Sequence, residues 1–268
     1  MSGRIATTFA RLAAEGRAGF VPFIMAGDPD LGATRELLNA SADAGADLIE
    51  LGIPFSDPMA DGPVLQRSAE RALTAGTTLT SVLELVAEFR RDSAIPIVLF
   101  GYANPFLRYG ADRLARDAAA SGVDGVLCVD LPPEEADDLQ QATDAAGLDM
   151  IFLLAPTSDR ARIDRVRARA RGFVYYVSIT GTTGAAAPDP AAVATMVETV
   201  RTRVGLPVGV GFGITNPDQA RAVARIADAV VVGSAVMRIV ETSPGAAFLP
   251  AARQFLRDLA AAVHTARG

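Results

Sequence analysis

The sequence predicts a (β/α)8 barrel, the TIM barrel, with an extra N-terminal helix. Three observations carry this. Eight short apolar runs alternate with Ala-, Leu-, Arg- and Glu-rich helical stretches from end to end. The runs are continuous rather than alternating, as parallel strands covered on both faces should be. Eight units in 268 residues come to about 33 residues each, which suits a closed barrel of about 250 residues. A doubly wound open sheet is the alternative; the even chain-wide rhythm favours closure.

The elements follow in order. The segment Ser2 to Gly16 is expected to form a helix capping the barrel bottom. Strands are expected near 19–26, 47–52, 95–102, 125–130, 149–155, 173–178, 207–213 and 229–235. Between them lie helical stretches such as RELLNASADAG, RLARDAAASG, PEEADDLQQATDAAG, DRARIDRVRARA and NPDQARAVARI. Ser158-Asp159 and Asn216-Pro217 are helix-start signals. Gly45, Gly122 and Gly147 stand where helices should stop. The final helix is expected from about Gly245 to Ala266. No linker or low-complexity tract interrupts the chain, so residues 1–268 are expected to form one barrel domain.

Composition excludes several chemistries. All 25 basic residues are Arg, and the chain has no lysine. Schiff-base catalysis, a PLP-anchoring lysine and a Walker lysine are therefore out. The only histidine is His264, which rules out a His-centred triad or a multi-His metal site. The single cysteine, Cys128, allows no internal disulfide and fits a reducing compartment. A net charge of -6 argues against nucleic acid and anionic membranes as partners. No apolar run reaches the roughly 18 residues of a membrane span, and the N-terminus lacks the apolar stretch of a signal peptide. A cytoplasmic location is the expectation. Proton chemistry falls mainly to Asp, Glu or Tyr.

Active sites of such barrels lie at the C-terminal strand ends, and four features there draw notice. Glu50 interrupts the apolar run of strand 2, on the same face as Leu48. An unpaired buried carboxylate is expensive, and burial raises its pKa toward general acid–base use. The competing reading is a structural carboxylate paired with an arginine. The following loop, PFSDPMADGPVLQRS, carries Asp57 and Asp61 among prolines and a glycine. Asp57 before Pro58 reads as turn chemistry. Asp61 is neutral between turn and function, although loop folding would let it share a pocket with Glu50. Glycine-rich turns end strands 7 and 8, at Gly209 to Asn216 and Val231 to Val236, where barrels often hold a phosphate on backbone N–H groups. Tight barrel corners are the competing reading. Loop 6, Ser178 to Pro190, reads either as a closing lid or as an ordinary surface loop. Tyr102 and Tyr175 are read at the ends of strands 3 and 6. With Phe23 and Phe212 they would line an apolar pocket for a flat aromatic substrate; taken singly, each of the four reads rather as core.

Taken in order, FIMAGDPD, LIELGIPFSDPMADGPVLQRSAERAL (48–73), FGYANPFLRYG, DLPPEEADDL, IFLLAPTS, YYVSITGTTG and GFGITNPDQA make the chain resemble the tryptophan synthase α subunit over essentially its whole length. The resemblance implies a carbon–carbon lyase of tryptophan biosynthesis. That activity is retro-aldol cleavage of indole-3-glycerol phosphate to indole and glyceraldehyde 3-phosphate. It implies that Glu50 shuttles protons at indole C3 and the glycerol hydroxyl. Asp61 would accept a hydrogen bond from the indole N–H. Tyr175 matches a substrate-contacting tyrosine, and Thr183 and Gly184 match the lid. Phe212, Gly213, Gly233 and Ser234 match ring and phosphate contacts. Phe23, Leu99 or Phe100, and Tyr102 match the remaining wall. It implies no metal and no cofactor in this chain. The implied partner is a PLP-dependent β subunit in an α2β2 complex, which receives indole through an internal tunnel. Pro54, Asp57 and Asp130, with loops 2 and 6, would face that partner. Many members read Ser-Arg-x-Gly-Val-Thr-Gly in loop 6; here Ile179 and Thr182 stand in place of the arginine and valine. A different phosphate-binding barrel, a stand-alone lyase releasing free indole, and a non-catalytic activating subunit are the rival readings.

Overall fold

In a computed structural model, residues 3–177, 190–211, 213–243 and 245–267 are described. Eight strands close into one parallel barrel, each paired with its sequence neighbours and the last with the first. They are β1 (Gly19–Met25), β2 (Ile49–Gly52), β3 (Ile97–Gly101), β4 (Gly125–Cys128), β5 (Asp149–Leu154), β6 (Val174–Val177), β7 (Val208–Gly211) and β8 (Ala229–Val232). Each expected strand is present, shorter by a few residues. The difference falls mostly at the mouth, where chain leaving the barrel stops pairing and turns into loops.

An N-terminal helix, α1 (Arg4–Ala14), precedes β1, and α2 (Leu31–Ala44) follows it. Two helices, α3 (Pro63–Thr74) and α4 (Leu79–Phe89), lie between β2 and β3. The stretch read as a loop to Ser68 thus becomes helical at Pro63, a residue whose fixed φ suits a first helical turn. Next come α5 (Ala103–Tyr109), α6 (Ala111–Ser121), α7 (Asp137–Ala146), α8 (Arg160–Arg169), α9 (Pro190–Val204) and α10 (Pro217–Ala224). The chain closes with α11 (Ser234–Thr242) and α12 (Phe248–His264). The expected start signals operate: Asp159 and Asn216 accept the Arg162 and Gln219 amides at 2.8 and 3.0 Å. Gly45 ends α2 in the left-handed region at φ 92°, and Gly122 and Gly147 end α6 and α7 likewise. Among the described residues no helix is long and apolar enough to cross a membrane.

Strand alternation divides the core in two. One layer lies between the sheet and its helices, where Ile24, Leu51, Leu99 and Val230 are fully buried. The other fills the barrel with Val21, Leu48, Val98, Leu127, Ile151, Phe173 and Ala229. Helix α1 plugs this interior from below with Ile5, Phe9 and Leu12, and Phe9 meets Phe173 at 5.5 Å. The bottom is thereby shut, and only the C-terminal strand ends open outward.

The plug is pinned by Asp47, just ahead of β2. Its buried carboxylate accepts from Arg11 at 2.8 Å, from Arg17 at 3.0 Å and from the Phe20 amide at 3.0 Å. His264 of α12 lies at 2.9 Å. Burial pushes this carboxyl up, but His264, Arg17, the Phe20 amide and Arg11 outweigh it and hold the group below its ordinary 3.8. A depressed folded-state pKa gives stability that is present above pH 3.8 and lost as pH falls below it. Asp47→Asn is expected to cost ~1–3 kcal/mol, since it removes the buried charged acceptor shared by Arg11, Arg17 and the Phe20 amide, although both arginines keep Glu15. Urea denaturation at pH 7 measures this, and the deficit should shrink in acid.

Candidate active site

The interior-facing residue of β2 at the mouth is Glu50, in register with Phe23 of β1 and Val98 of β3. It is fully buried, and among the described residues neither carboxylate oxygen has a hydrogen-bond partner. The arginine pairing considered from the sequence is thus not what the structure forms. Burial alone pushes its pKa up to about 8, so the group is mainly neutral at pH 7.

Asp61 lies in the loop after β2, half-buried. Its amide bonds the Pro58 carbonyl at 3.1 Å, and its carbonyl accepts the Gln66 side-chain amide at 2.8 Å. Burial raises its pKa to about 6, with a hydrogen bond from Tyr102 pulling the other way. Tyr102 therefore works as a strut for this loop. Its hydroxyl accepts the Ala60 N–H at 3.1 Å and its ring leans on Phe55 at 5.4 Å. It stands just past β3, at the N-cap of α5. Asp57 accepts the Ser56 hydroxyl, the local turn contact expected of it. Asp130, past β4, accepts the Ala103 amide at 2.7 Å and so ties the β3 and β4 ends together.

Tyr175 lies inside β6 rather than at its end, with its ring in the barrel interior. Burial, then the charges of Glu50 and Asp61, push its phenol well above its ordinary 10. Both carboxylates thus act on one hydroxyl, which places them about a common space. Phe100 packs edge-on between Phe23 at 5.2 Å and Tyr175 at 6.3 Å. Leu99 points into the outer layer, and Phe100 faces the interior.

Two glycines make room for these rings: Gly52, which the sequence reading did not single out, and Gly211, which it placed in the glycine-rich turn after strand 7 but which ends β7 itself. A Cβ on Gly52 would lie 2.5 Å from Phe23 Cζ, and one on Gly211 would lie 1.9 Å from the Tyr175 hydroxyl. Alternation in the strand was the available signal, because both positions face inward.

At the other side of the mouth, Gly213 follows β7 with φ 71° and is exposed. Gly233, read as part of a strand, is the N-cap of α11, and Ser234 is its first residue; both are half-buried. The first N–H groups of a helix lack intrahelical partners and favour an anion. Phe212, Thr183 and Gly184, with the rest of loop 6 including Ile179 and Thr182, lie outside the described residues.

An eight-stranded parallel barrel with two unequal carboxylates at its mouth is the arrangement of a barrel enzyme working by acid–base chemistry. The family model for the tryptophan synthase alpha chain matches residues 9–264. The chain belongs to that family. It is 52% identical to the tryptophan synthase alpha chain of Leptothrix cholodnii over 99% of this chain and 98% of that one. It is 57% identical to that of Geobacter sulfurreducens over 89% and 90% of the two chains. Among solved structures, the tryptophan synthase subunit alpha of Legionella pneumophila superposes with a TM-score of 0.92 at 38% identity, covering 98% and 99% of the two chains. A tryptophan synthase chain from Mycobacterium tuberculosis gives 0.90 at 36% identity, with 98% and 99% covered.

The burial of Glu50 has a thermodynamic signature. Its folded-state pKa of about 8 exceeds the ordinary 4.5, so stability is full below 4.5 and declines as pH rises toward 8. At pH 7 the loss is about 3 kcal/mol. Glu50→Gln, which does not titrate, is expected to be the more stable protein at pH 7 to 8 by up to about that much. The gap should close toward pH 4.5, as denaturant melts across that range would record.

Proposed function

We propose that this chain is the α subunit of a tryptophan synthase, a cytoplasmic carbon–carbon lyase made of one barrel domain. It would cleave indole-3-glycerol phosphate to indole and glyceraldehyde 3-phosphate and pass indole to a β subunit in an α2β2 complex. The observation that carries this reading is the pair Glu50 and Asp61, whose differing burial gives them different protonation at neutral pH.

The chemistry follows from that difference. Neutral Glu50 delivers a proton to indole C3, leaving a cationic ring with a C2–N1 double bond. Asp61, largely ionised at pH 7, accepts the ring N–H and stabilises the positive charge. The Glu50 carboxylate then removes the proton of the hydroxyl on the carbon attached to C3. As the aldehyde forms, the C3–C bond breaks and its electron pair returns to the ring. The ring is the electron sink, so neither lysine nor metal is required.

Phe23, Phe100 and Tyr175 suit the flat indole, and Tyr102 holds the Asp61 loop. The α11 N-terminus, with Gly233 and Ser234, and the turn at Gly213 suit the phosphate; Phe212, Thr183 and Gly184 complete the assignment by resemblance. Exposed Met59 in the loop after β2 and exposed Leu107 in α5 supply apolar surface at the mouth suited to the β subunit. PLP belongs to that partner; this chain offers no lysine to anchor it.

The test is indole release by the purified chain, with and without a β subunit. Slow release alone and marked acceleration with partner are expected. Glu50→Gln should lower kcat/KM by at least ~10²–10⁴-fold. The wild-type profile should fall below pH about 6, as Asp61 protonates, and above about 8, as Glu50 ionises. Rapid release without a partner would identify a stand-alone lyase. No release in either condition would reject the substrate.

A further inference from the structure

Behind the mouth, one ionic cluster of residues that the chemistry does not use directly joins three elements. Asp28, in the loop after β1, is fully buried. Arg71 of α3 grips it as a fork, Nε to Oδ1 at 2.7 Å and Nη2 to Oδ2 at 2.6 Å, and the Ser68 hydroxyl also donates to it. The remaining guanidinium nitrogen, Nη1, reaches Glu241 of α11 at 3.3 Å. Arg67, one turn earlier on α3, donates to the same carboxylate from Nε and, at 3.0 Å, from Nη2. Two arginines on one helix thus hold one carboxylate on the other, and one of them also holds the first loop. Arg71 and Glu241 side chains are 31% and 20% exposed, enough shielding for the pair to fix geometry where a fully solvated pair would not.

The two helices carry opposite ends of the pocket. Asp61 stands two residues before α3 begins, and Ser234 opens α11. Glu241 lies seven residues beyond Ser234, roughly 10 Å along the axis. It therefore ties α11 to α3 at the end away from Ser234. We propose that Arg71 and Glu241 are positioning residues that set the span between the ring end at Asp61 and the anion end at α11. This rests on the substrate reading above. Lysine cannot replace Arg71, because it cannot fork onto Asp28 and still reach Glu241.

The experiment compares each half of the substrate with the whole. Indole and glycerol 3-phosphate are titrated separately into wild type, Glu241→Ala, Glu241→Gln and Arg71→Lys, and indole-3-glycerol phosphate turnover is measured with the β subunit. Glu241→Ala leaves the buried Asp28–Arg71 pair intact, so it tests the span in a folded chain. Each half should bind the variants within about twofold of wild type, because each end is individually sound. The joined substrate should lose roughly 10–100-fold in kcat/KM, with KM raised and kcat lowered, because its two ends no longer meet both sites in register. Glu241→Gln should fall between wild type and Glu241→Ala. Turnover by Glu241→Ala equal to wild type would overturn the proposal. So would parallel weakening of both halves, which would mean general loosening. A wild type that binds each half but never turns over the whole would defeat the substrate reading itself, and this proposal with it.

Discussion

A carboxyl group with no hydrogen-bond partner among the described residues stands at the centre of this barrel, and the surrounding structure makes that tolerable. Glu50 is flanked by Phe23 and Val98 in the neighbouring strands, with Tyr175 across the interior. Among the described residues no arginine hydrogen-bonds to it. An ionised carboxylate there would be prohibitive, so the group takes up a proton and keeps it to a pH near 8. An ordinary weak acid becomes a proton donor at neutral pH through burial alone. The same burial lowers the stability of the fold, a conflict expected where function overrides packing.

Asp61 differs because it sits on a loop and keeps contact with Tyr102 and with solvent. Its loop is not free to drift. Tyr102 packs on the loop's Phe55 and accepts its Ala60 amide, Gln66 donates to the Asp61 carbonyl, and α3 begins immediately after it. Below, the α1 plug and the Asp47 cluster close the barrel floor, so the pocket opens in one direction only. The closed floor and the braced loop let two carboxylates that both act on Tyr175 keep different protonation states.

Much of this was legible in the sequence. Continuous apolar runs gave all eight strands because parallel strands bury both faces, and periodicity does not depend on distant contacts. Glu50 was legible because a charge inside such a run breaks the pattern. Asp61 was legible in position but not in role, since turn chemistry and catalysis use the same residue types. The strand ends at Tyr102 and Gly233 were read too long, because hydropathy does not record where pairing stops. Helix α3 was hidden by the Pro and Gly that precede it. The Arg71–Asp28–Glu241 cluster had no local signature at all; its members come from three separated segments and meet only when the barrel closes.

The central claim is that Glu50 is neutral at physiological pH because it is buried and unpaired. Carboxyl ¹³C NMR of the glutamate-labelled chain, with Glu50→Gln to assign the resonance, measures this directly. A titration midpoint near 8 is the predicted result. A midpoint near the ordinary 4.5 would mean that solvent or a cation reaches the group, and the account of its role as the proton donor would fail.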